Sequence, residues 1–280
     1  MASRAWFITG VSSGFGREMT DQLLASGDRV AGTVRDLDTV SDLTAAYGDQ
    51  FWTAQLDVTD LNEVREVVDS AFSALGRIDV VVNNAGYGLL GAAEELTDDQ
   101  VVHQISTNLL GSIQVARAAV GHLRAQGGGR IIQISSYGGQ ATHPGGSAYH
   151  ASKWGIEGFM EALAGEVAPL GIGVTIVEPG GARTAFRSRS ARLATPLAAY
   201  DDTPAAFVRG VRDLPPAPGD PAKMARAIIE SADREPAPRR LVLGSDAYRF
   251  VHDALSARLA EVEAQKDTVG VSDAPVEQAA

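Results

Sequence analysis

Short apolar segments alternate with longer amphipathic segments along most of the chain. The short segments are rich in Val and Ile and show little polar alternation, which is typical of parallel strands covered on both faces. Sheet-forming segments of this kind are short, so each predicts one buried strand. The predicted strands are Trp6–Thr9, Arg29–Val34, Trp52–Leu56, Val80–Asn83, Arg130–Ile134, Val174–Val177 and Arg240–Leu243.

The segments between these strands have the periodicity of helices. They predict helices at Arg17–Ser26, Leu61–Leu75 and Tyr149–Ala168, and either one long helix or two over residues 97–125. Strands and helices that alternate in this way predict an α/β fold of the Rossmann type. In this fold a doubly wound parallel sheet carries helices on both faces, joined by right-handed crossovers.

The alternation also predicts where the domain ends. We expect a single nucleotide-binding domain over residues 1–262. Residues 185–221 contain no clear strand, and we expect a loop or a helical lid over the substrate there. Residues 263–280 are polar and rich in small side chains, and we expect them to form a flexible tail.

Composition narrows the possible partners and the compartment. The net charge of −11 argues against nucleic acid or an anionic membrane as the main partner. The chain has no cysteine, which excludes disulfides and thiolate catalysis and fits a reducing cytoplasm. No apolar stretch approaches the roughly 18–20 residues of a membrane span. We therefore expect a cytoplasmic protein. The histidine spacings show no metal motif, so we expect no metal site.

A glycine-rich turn follows the first strand. The stretch "TGVSSGFG" places Gly10, Gly14 and Gly16 between that strand and the next helix. Glycines allow a tight turn and a close approach to a pyrophosphate, and the helix N-terminus offers free N–H groups. Three glycines alone are a weak indication, since plain turns share the pattern, but their placement strengthens it. The turn predicts a dinucleotide site that includes the neighbouring residues Ser12, Ser13 and Phe15.

The end of the second strand indicates which dinucleotide binds. An acidic side chain there hydrogen-bonds the ribose of NAD, whereas an arginine accommodates the 2′-phosphate of NADP. This strand ends "RVAGTVRDL", so Arg35 comes first and Asp36 follows. We expect NADP(H), held by Arg35. NAD(H), held by Asp36, is the alternative.

Six further motifs follow in order along the chain. They are "LDV" at 56–58, "NNAG" at 83–86, "STNLLGS" around Asn108, "ISS" at 134–136, "YHASK" at 149–153 and "PGGART" at 179–184. Together with the glycine turn they resemble the classical short-chain dehydrogenase/reductase family over residues 4–185, and more loosely to about 245. The resemblance implies an oxidoreductase that interconverts a ketone or aldehyde and its alcohol by hydride transfer.

The resemblance also implies roles for individual residues. Asn108, Ser136, Tyr149 and Lys153 would be catalytic, with Asn108 holding a water that links the lysine to a proton relay. Ser136 is preferred to Ser135 because it lies thirteen residues before Tyr149, an interval like that of the family. The implied cofactor cleft contains Asp57, Val58, Asn84, Ala85, Gly86, Tyr149, Lys153, Pro179, Gly180, Ala182 and Thr184.

The spacing of Tyr149 and Lys153 has a chemical reason. At i and i+4 they project from one face of a helix. A free tyrosine has a pKa of about 10, and a nearby ammonium favours the phenolate, so we expect Lys153 to lower the Tyr149 pKa. Each residue has a plain structural interpretation when taken alone, as packing, a turn hydroxyl or a satisfied amide. Their occurrence together with a nucleotide loop favours catalysis.

The substrate is the least defined part of the prediction. Its pocket would be built from residues 87–96, residues 137–146 and the lid, whose side chains suggest a moderately apolar small molecule. Three arginines in the lid, at 187, 189 and 192, could bind an anion or simply face solvent. The resemblance implies a homo-oligomer, either a dimer or a tetramer. An NAD-dependent dehydrogenase of the same family and a non-catalytic dinucleotide sensor are the alternative functions.

Overall fold

A computed structural model describes residues 3–272 and residue 274. Seven of its strands form one parallel sheet in the order β3-β2-β1-β4-β6-β7-β9, and β5 and β8 form a separate two-stranded parallel ladder. The strands are β1 (Ala5–Thr9), β2 (Arg29–Val34), β3 (Phe51–Gln55), β4 (Val80–Asn83), β5 (Gly88–Leu90), β6 (Gly129–Ile134), β7 (Ile172–Pro179), β8 (Ala191–Leu193) and β9 (Arg240–Leu243).

Helices cover both faces of the large sheet. One face packs against α3, α5 and α6, and the other packs against α1 and α7. This arrangement confirms the predicted single-domain Rossmann fold. The helices are α1 (Gly14–Ala25), α2 (Ser41–Tyr47), α3 (Leu61–Leu75), α4 (Asp98–Ile105), α5 (Ser112–Ala125), α6 (Ser147–Val167), α7 (Pro221–Ser231) and α8 (Ser245–Glu263).

Strand order places the carboxyl ends of β1, β2, β4, β6 and β7 along one edge of the sheet. Chain order reverses between β1 and β4, and such a reversal opens a crevice at that edge. The register is continuous near the centre, where β6 pairs with β7 from Gly129↔Ile172 to Ile134↔Val177. The loops that leave these strands therefore converge on one cleft.

The helical region predicted over 97–125 forms two helices. α4 and α5 are joined by a π-helical turn over Ser106–Gly111, which contains Asn108. Close packing explains part of this geometry, because a Cβ at Gly111 would lie 2.7 Å from the backbone oxygen of Val58. π-helical turns are rare and often occur at functional positions.

The predicted lid differs from expectation. Residues 185–221 do contain a strand, β8, which pairs with β5. A three-residue strand carries no readable alternation, which explains why the sequence pattern missed it. Before β8 the chain makes a π-helical turn over Phe186–Ser190, and short 3-10 turns follow it.

The predicted flexible tail stays a prediction. α8 ends at Glu263, and the chain then continues through exposed turns to Ser272. Residue 273 and residues 275–280 of that predicted tail lie outside the described residues.

Candidate active site

The turn after β1 has the backbone geometry that its glycines suggest. Gly10 and Gly14 have φ angles of +75° and +57°, a region that side-chain-bearing residues rarely adopt. A Cβ at Gly16 would lie 2.3 Å from the oxygen of Gly10, so only glycine fits where α1 crosses the turn. α1 begins at Gly14, three residues before the predicted start.

The N-terminus of α1 has no side-chain cap. Ser13 occupies the cap position in an extended conformation but makes no side-chain hydrogen bond to the helix. Ser12 and Ser13 are exposed, and Phe15 packs partly into the core. The first N–H groups of a helix need partners, so this end of α1 is suited to bind an anion.

The turn after β4 is fastened to the glycine turn. The Asn84 side chain donates to the oxygens of Thr9 (2.8 Å) and Gly10 (3.0 Å), and the Ala85 N–H donates to Thr9 Oγ1 (3.0 Å). Gly86 lies against Asn108, whose Oδ1 would be 3.1 Å from a Cβ at that position. These contacts make the two turns one rigid wall of the cleft.

Two charged residues, Arg35 and Asp36, follow the end of β2 and differ in their contacts. Arg35 is exposed directly after the strand, and among the described residues its guanidinium has no hydrogen bond or ion pair. The Asp36 carboxylate instead accepts from the Asp38 N–H at 3.1 Å, as a cap for the following turn. An arginine not engaged elsewhere is available to an anion, whereas Asp36 already has a structural bond.

Asp57 and Val58 follow β3 at the same edge. The Asp57 carboxylate accepts from the N–H and hydroxyl of Thr59, at 2.9 and 2.7 Å. Burial tends to raise the Asp57 pKa, but these bonds and the positive charge of Arg35 outweigh it, and the net pKa is lowered. The side chain of Val58 is buried in the core, so only its backbone is available to a ligand.

Three of the predicted catalytic residues come together above β6. Tyr149 and Lys153 lie one turn apart on α6, and Ser136 lies within hydrogen-bonding reach of the Tyr149 hydroxyl. Lys153 Nζ donates to the oxygen of Ile134 at 3.0 Å and lies 5.9 Å from the centre of the Tyr149 ring. Ser135 points elsewhere and donates to Glu157, which supports the preference for Ser136.

Burial controls the ionisation of the tyrosine and the lysine. It raises the Tyr149 pKa to about 12, although the hydrogen bond with Ser136 acts in the opposite direction. It lowers the Lys153 pKa to about 8, against the attraction of Glu157. The expectation that Lys153 lowers the Tyr149 pKa does not hold in this structure, because burial sets the direction and Lys153 is not among the groups that act on this pKa. Tyr149 is a neutral phenol, and thus a proton donor, at neutral pH.

Asn108 lies beside this cluster but is bonded to protein groups. Its Nδ2 donates to the oxygen of Tyr87 (2.8 Å) and to Ser152 Oγ (3.2 Å), and its Oδ1 accepts from the Tyr87 N–H (3.0 Å). The side chain is 1% exposed. This is the satisfied-amide alternative that the sequence left open, and the proton relay through Asn108 stays a prediction.

The segment after β7 closes the cleft opposite the glycine turn. Gly180 N–H donates to the oxygen of Leu243 (2.8 Å), Ala182 pairs with Gly219, and Pro179 is the last residue of β7. The Thr184 Cβ would lie 3.9 Å from a Cβ at Gly14, so this segment faces the start of α1. Beside it lies a cavity of about 310 Å³, lined in part by Thr184, Arg187 and Pro215.

Sequence reasoning missed two side chains of the site. Phe186, in the lid, lies against Tyr149 with ring centroids 6.3 Å apart. His150 is 4% exposed; its Nδ1 donates to the oxygen of Gly138 at 2.9 Å, and its Nε2 accepts from the His143 N–H at 3.2 Å. Its position directly after Tyr149 was the available signal, but the sequence alone does not show that the neighbouring loop folds onto it.

Neither a metal centre nor a membrane-spanning helix is found in the part of the chain that the structure describes. No group of three His, Asp or Glu side chains there is placed to hold a metal ion. No helix there is long and apolar enough to cross a membrane.

The comparison with known families decides the classification. The short chain dehydrogenase family model matches residues 4–193. The chain belongs to the short-chain dehydrogenase/reductase family. Oxidoreductase BOA17 of Botryotinia fuckeliana, a relative, is 37% identical over 254 residues, which cover 90% of this chain and 93% of that protein.

Solved structures resemble the chain over most of its length. A short-chain dehydrogenase from Streptomyces avermitilis has a TM-score of 0.90 and 39% identity, covering 97% of this chain and 99% of the other. The structure of ElxO with NADP bound has a TM-score of 0.72 and 25% identity, covering 86% and 97%. The chain is thus an oxidoreductase of this family, and these likenesses support a nicotinamide dinucleotide cofactor.

Proposed function

We propose that the chain is an NADP(H)-dependent carbonyl reductase that interconverts a ketone or aldehyde and its alcohol, with Tyr149 as general acid and base. The cluster of Ser136, Tyr149 and Lys153 carries the proposal. It lies at the edge of the sheet where the uncapped start of α1 also lies, so a proton donor and an anion-binding turn share one cleft.

The residues present fit a dinucleotide. The glycine turn and the start of α1 would hold the pyrophosphate, and Asp57 with the Val58 backbone would flank the adenine. Lys153 would bind the nicotinamide ribose, and residues 179–184 would border the ring. When bound, the nicotinamide supplies or accepts the hydride.

Arg35 favours NADP over NAD. It is exposed at the end of β2 with no partner of its own among the described residues, whereas the Asp36 carboxylate is held by the next turn. An arginine can bind a phosphate through two charge-assisted hydrogen bonds. The likeness to ElxO, which was solved with NADP bound, agrees with this preference.

Proton transfer follows from the state of Tyr149. In reduction, the phenol O–H bond breaks and an O–H bond forms on the substrate oxygen while the carbonyl carbon receives the hydride. The phenolate left behind is stabilised by the Ser136 hydroxyl and by the Lys153 ammonium. In alcohol oxidation the same phenolate accepts the proton back.

The substrate would be a moderately apolar carbonyl compound. The space in front of Tyr149 is bordered by Gly88 of β5 and by the ring of Phe186. We keep the homodimer or homotetramer and the cytoplasmic location as proposals that rest on the family resemblance and on the absence of cysteine.

The test is oxidation of NADPH and of NADH, followed by absorbance, with a panel of apolar ketones and aldehydes. Tyr149→Phe should lower kcat by about a hundredfold or more. Tyr47→Phe, which removes a phenol at the last residue of α2, a side chain that packs against the core, should leave kcat unchanged. Binding of NADPH without turnover on any member of the panel would favour the dinucleotide sensor, and faster turnover with NADH would favour the NAD-dependent alternative.

A further inference from the structure

A buried carboxylate follows Lys153 on the same helix, four residues further along. Glu157 is one turn further along α6 and is only 3% exposed. Ser135 Oγ donates to its Oε1 at 2.7 Å, and the Gln140 side chain donates to its Oε2. Burying a carboxylate is costly unless hydrogen bonds and charges compensate it. The burial of the Glu157 carboxylate next to a buried lysine therefore calls for an explanation.

A second buried carboxyl group adjoins the first. Glu178, on β7, is completely buried. Arg240 Nε reaches both groups, at 3.0 Å from Glu178 Oε1 and 3.4 Å from Glu157 Oε2. The same guanidinium also binds the exposed Glu161, at 2.8 Å from Nη2. One positive charge is therefore shared among three acidic groups. A single guanidinium cannot balance three carboxylate anions.

The hydrogen bonds indicate which acid keeps a proton. Glu178 Oε2 is buried and has no hydrogen-bond partner among the residues that the structure describes, although the Glu157 carboxylate is within reach of this carboxyl group. A proton on Glu178 removes this conflict, because the neutral acid can then donate to Glu157. Burial, followed by the charge of Glu157, raises the Glu178 pKa, which agrees with the neutral form. Glu157 is then the anion of the pair.

We propose that Glu157 is a positioning residue that keeps Lys153 protonated, and that Glu178 serves as a neutral acid that holds the Glu157 carboxylate in place. Lys153 is 7% exposed, and its Nζ is bonded to the neutral oxygen of Ile134. The ionisable groups that face it are Tyr149 and Glu157, both on α6. Glu157 thus supplies the negative charge that opposes the burial of the ammonium. The proposal rests on the proposed function, in which that ammonium stabilises the Tyr149 phenolate.

The chain allows a direct test because it has three lysines, Lys153, Lys223 and Lys266. With Lys223→Arg and Lys266→Arg as the background, lysine labelled with 13C at the ε carbon gives one signal, that of Lys153. Its chemical shift, followed from pH 6 to 11, measures the Lys153 pKa without any enzyme assay. Glu157→Gln should lower this pKa by about one pH unit, since an adjacent opposite charge favours the charged form.

Two matched variants make the test specific. Glu178→Gln keeps this position neutral at every pH, whereas the parent Glu178 ionises near pH 8. It should leave the Lys153 signal close to that of the parent below about pH 8 and lower the Lys153 pKa by less than Glu157→Gln does. Glu161→Gln removes an acid that binds the same Arg240 but lies on the exposed side, and should leave the Lys153 titration unchanged. A Glu157→Gln titration equal to that of the parent would overturn the proposal, as would a Glu178→Gln decrease as large as that expected for Glu157→Gln.

Activity supplies the second readout. The alkaline decrease of kcat/KM should move to lower pH in Glu157→Gln by the same amount as the NMR titration, and Glu157→Asp should restore most of it. If Glu157→Gln does not fold, Glu157→Asp is tested in its place. A decrease of about one unit in the Lys153 pKa of Glu157→Asp, although the negative charge is retained, would contradict the proposal. A shifted NMR titration in a protein that reduces no carbonyl compound would support the Glu157–Lys153 coupling while refuting the proposed function.

Discussion

The ring of Phe186 lies over Tyr149, with 6.3 Å between the two ring centroids. Phe186 belongs to the π-helical turn that begins the lid, and its Cζ would be 3.1 Å from a Cβ at Gly88 in β5. The lid and β5 therefore meet in front of the proposed proton donor.

Phe186→Ala should raise KM for apolar ketones about tenfold and change kcat by less than about twofold. The reason is that a substrate packed on this ring, which is 37% exposed, would gain roughly 1–1.5 kcal/mol of aromatic contact that takes no part in proton transfer. Steady-state kinetics with aryl and aliphatic ketones measure the effect. Phe207→Ala, which removes a lid phenylalanine that is 64% exposed, is the control. Equal effects of the two variants would refute a substrate contact for Phe186.

The pH dependence of reduction should follow Lys153. Its pKa of about 8 means that the ammonium is present below pH 8 and is lost above it, whereas Tyr149, with a pKa of about 12, stays a phenol across this range. We expect kcat/KM to be level from about pH 6 to 7.5 and then to decrease about tenfold for each pH unit. Lys153→Arg keeps its charge at these pH values and should abolish the decrease. A decrease that persists near pH 8 in Lys153→Arg would assign it to another group.

Arg35 should decide cofactor preference. Arg35→Ala should raise KM for NADPH by about 10–100-fold, because charge-assisted hydrogen bonds contribute about 1.5–3 kcal/mol. KM for NADH should change by less than about twofold. Asp36→Asn is the comparison variant and should affect neither cofactor strongly. An unchanged KM for NADPH in Arg35→Ala, with a raised KM for NADH in Asp36→Asn, would establish the NAD alternative instead.

Features that lie within one strand–turn–helix unit were predictable from the sequence. Arg29–Val34, Leu61–Leu75, Val80–Asn83 and Arg240–Leu243 match the structure end for end. The glycine turn could be predicted because its function depends on residues that are adjacent in the chain. The close placement of Ser136 with Tyr149 followed from their interval and from the family resemblance.

Features that depend on contacts between distant segments were not predictable. β5 and β8 are three residues each and pair across about a hundred residues, so neither shows a periodic pattern. Glu157 and Glu178 look like ordinary surface charges in the sequence, and only the packing of α6 on β7 shows that both are buried. The Tyr149 pKa was mispredicted for a similar reason, since the cost of burial cannot be read from the spacing of two residues.

Glu178 should make stability depend on pH. Its folded-state pKa, raised by burial to about 8 from an ordinary 4.5, gives a contribution that is full below about pH 4.5 and is lost as pH rises through about 8. Glu178→Gln has no such loss, so its free energy of unfolding relative to the parent should improve by about 3 kcal/mol between pH 5 and 8.5. Urea unfolding at both pH values measures the change. Glu161→Gln should show little pH dependence, and a similar pattern in both variants would contradict a protonated Glu178.

Glu95 should determine how firmly the lid is held. Its buried carboxylate accepts from the Leu197 N–H at 2.9 Å and from Arg209 Nη2 at 2.7 Å, both in the lid, and from the Ala92 N–H at 2.8 Å. Glu95→Gln replaces an acceptor of charged and backbone donors by a neutral amide, so trypsin should cleave the lid about tenfold faster.

The neighbouring acid provides the control for this prediction. Glu94 also binds the lid, accepting from the Tyr200 hydroxyl at 2.9 Å, but this contact is exposed. Glu94→Gln should therefore leave the cleavage rate within about twofold of the parent, because exposed polar contacts contribute little. Mass spectrometry of the first fragments shows whether the cuts fall within residues 185–221. Equal rates for the two variants would mean that the β5–β8 ladder, and not Glu95, holds residues 185–221 in place.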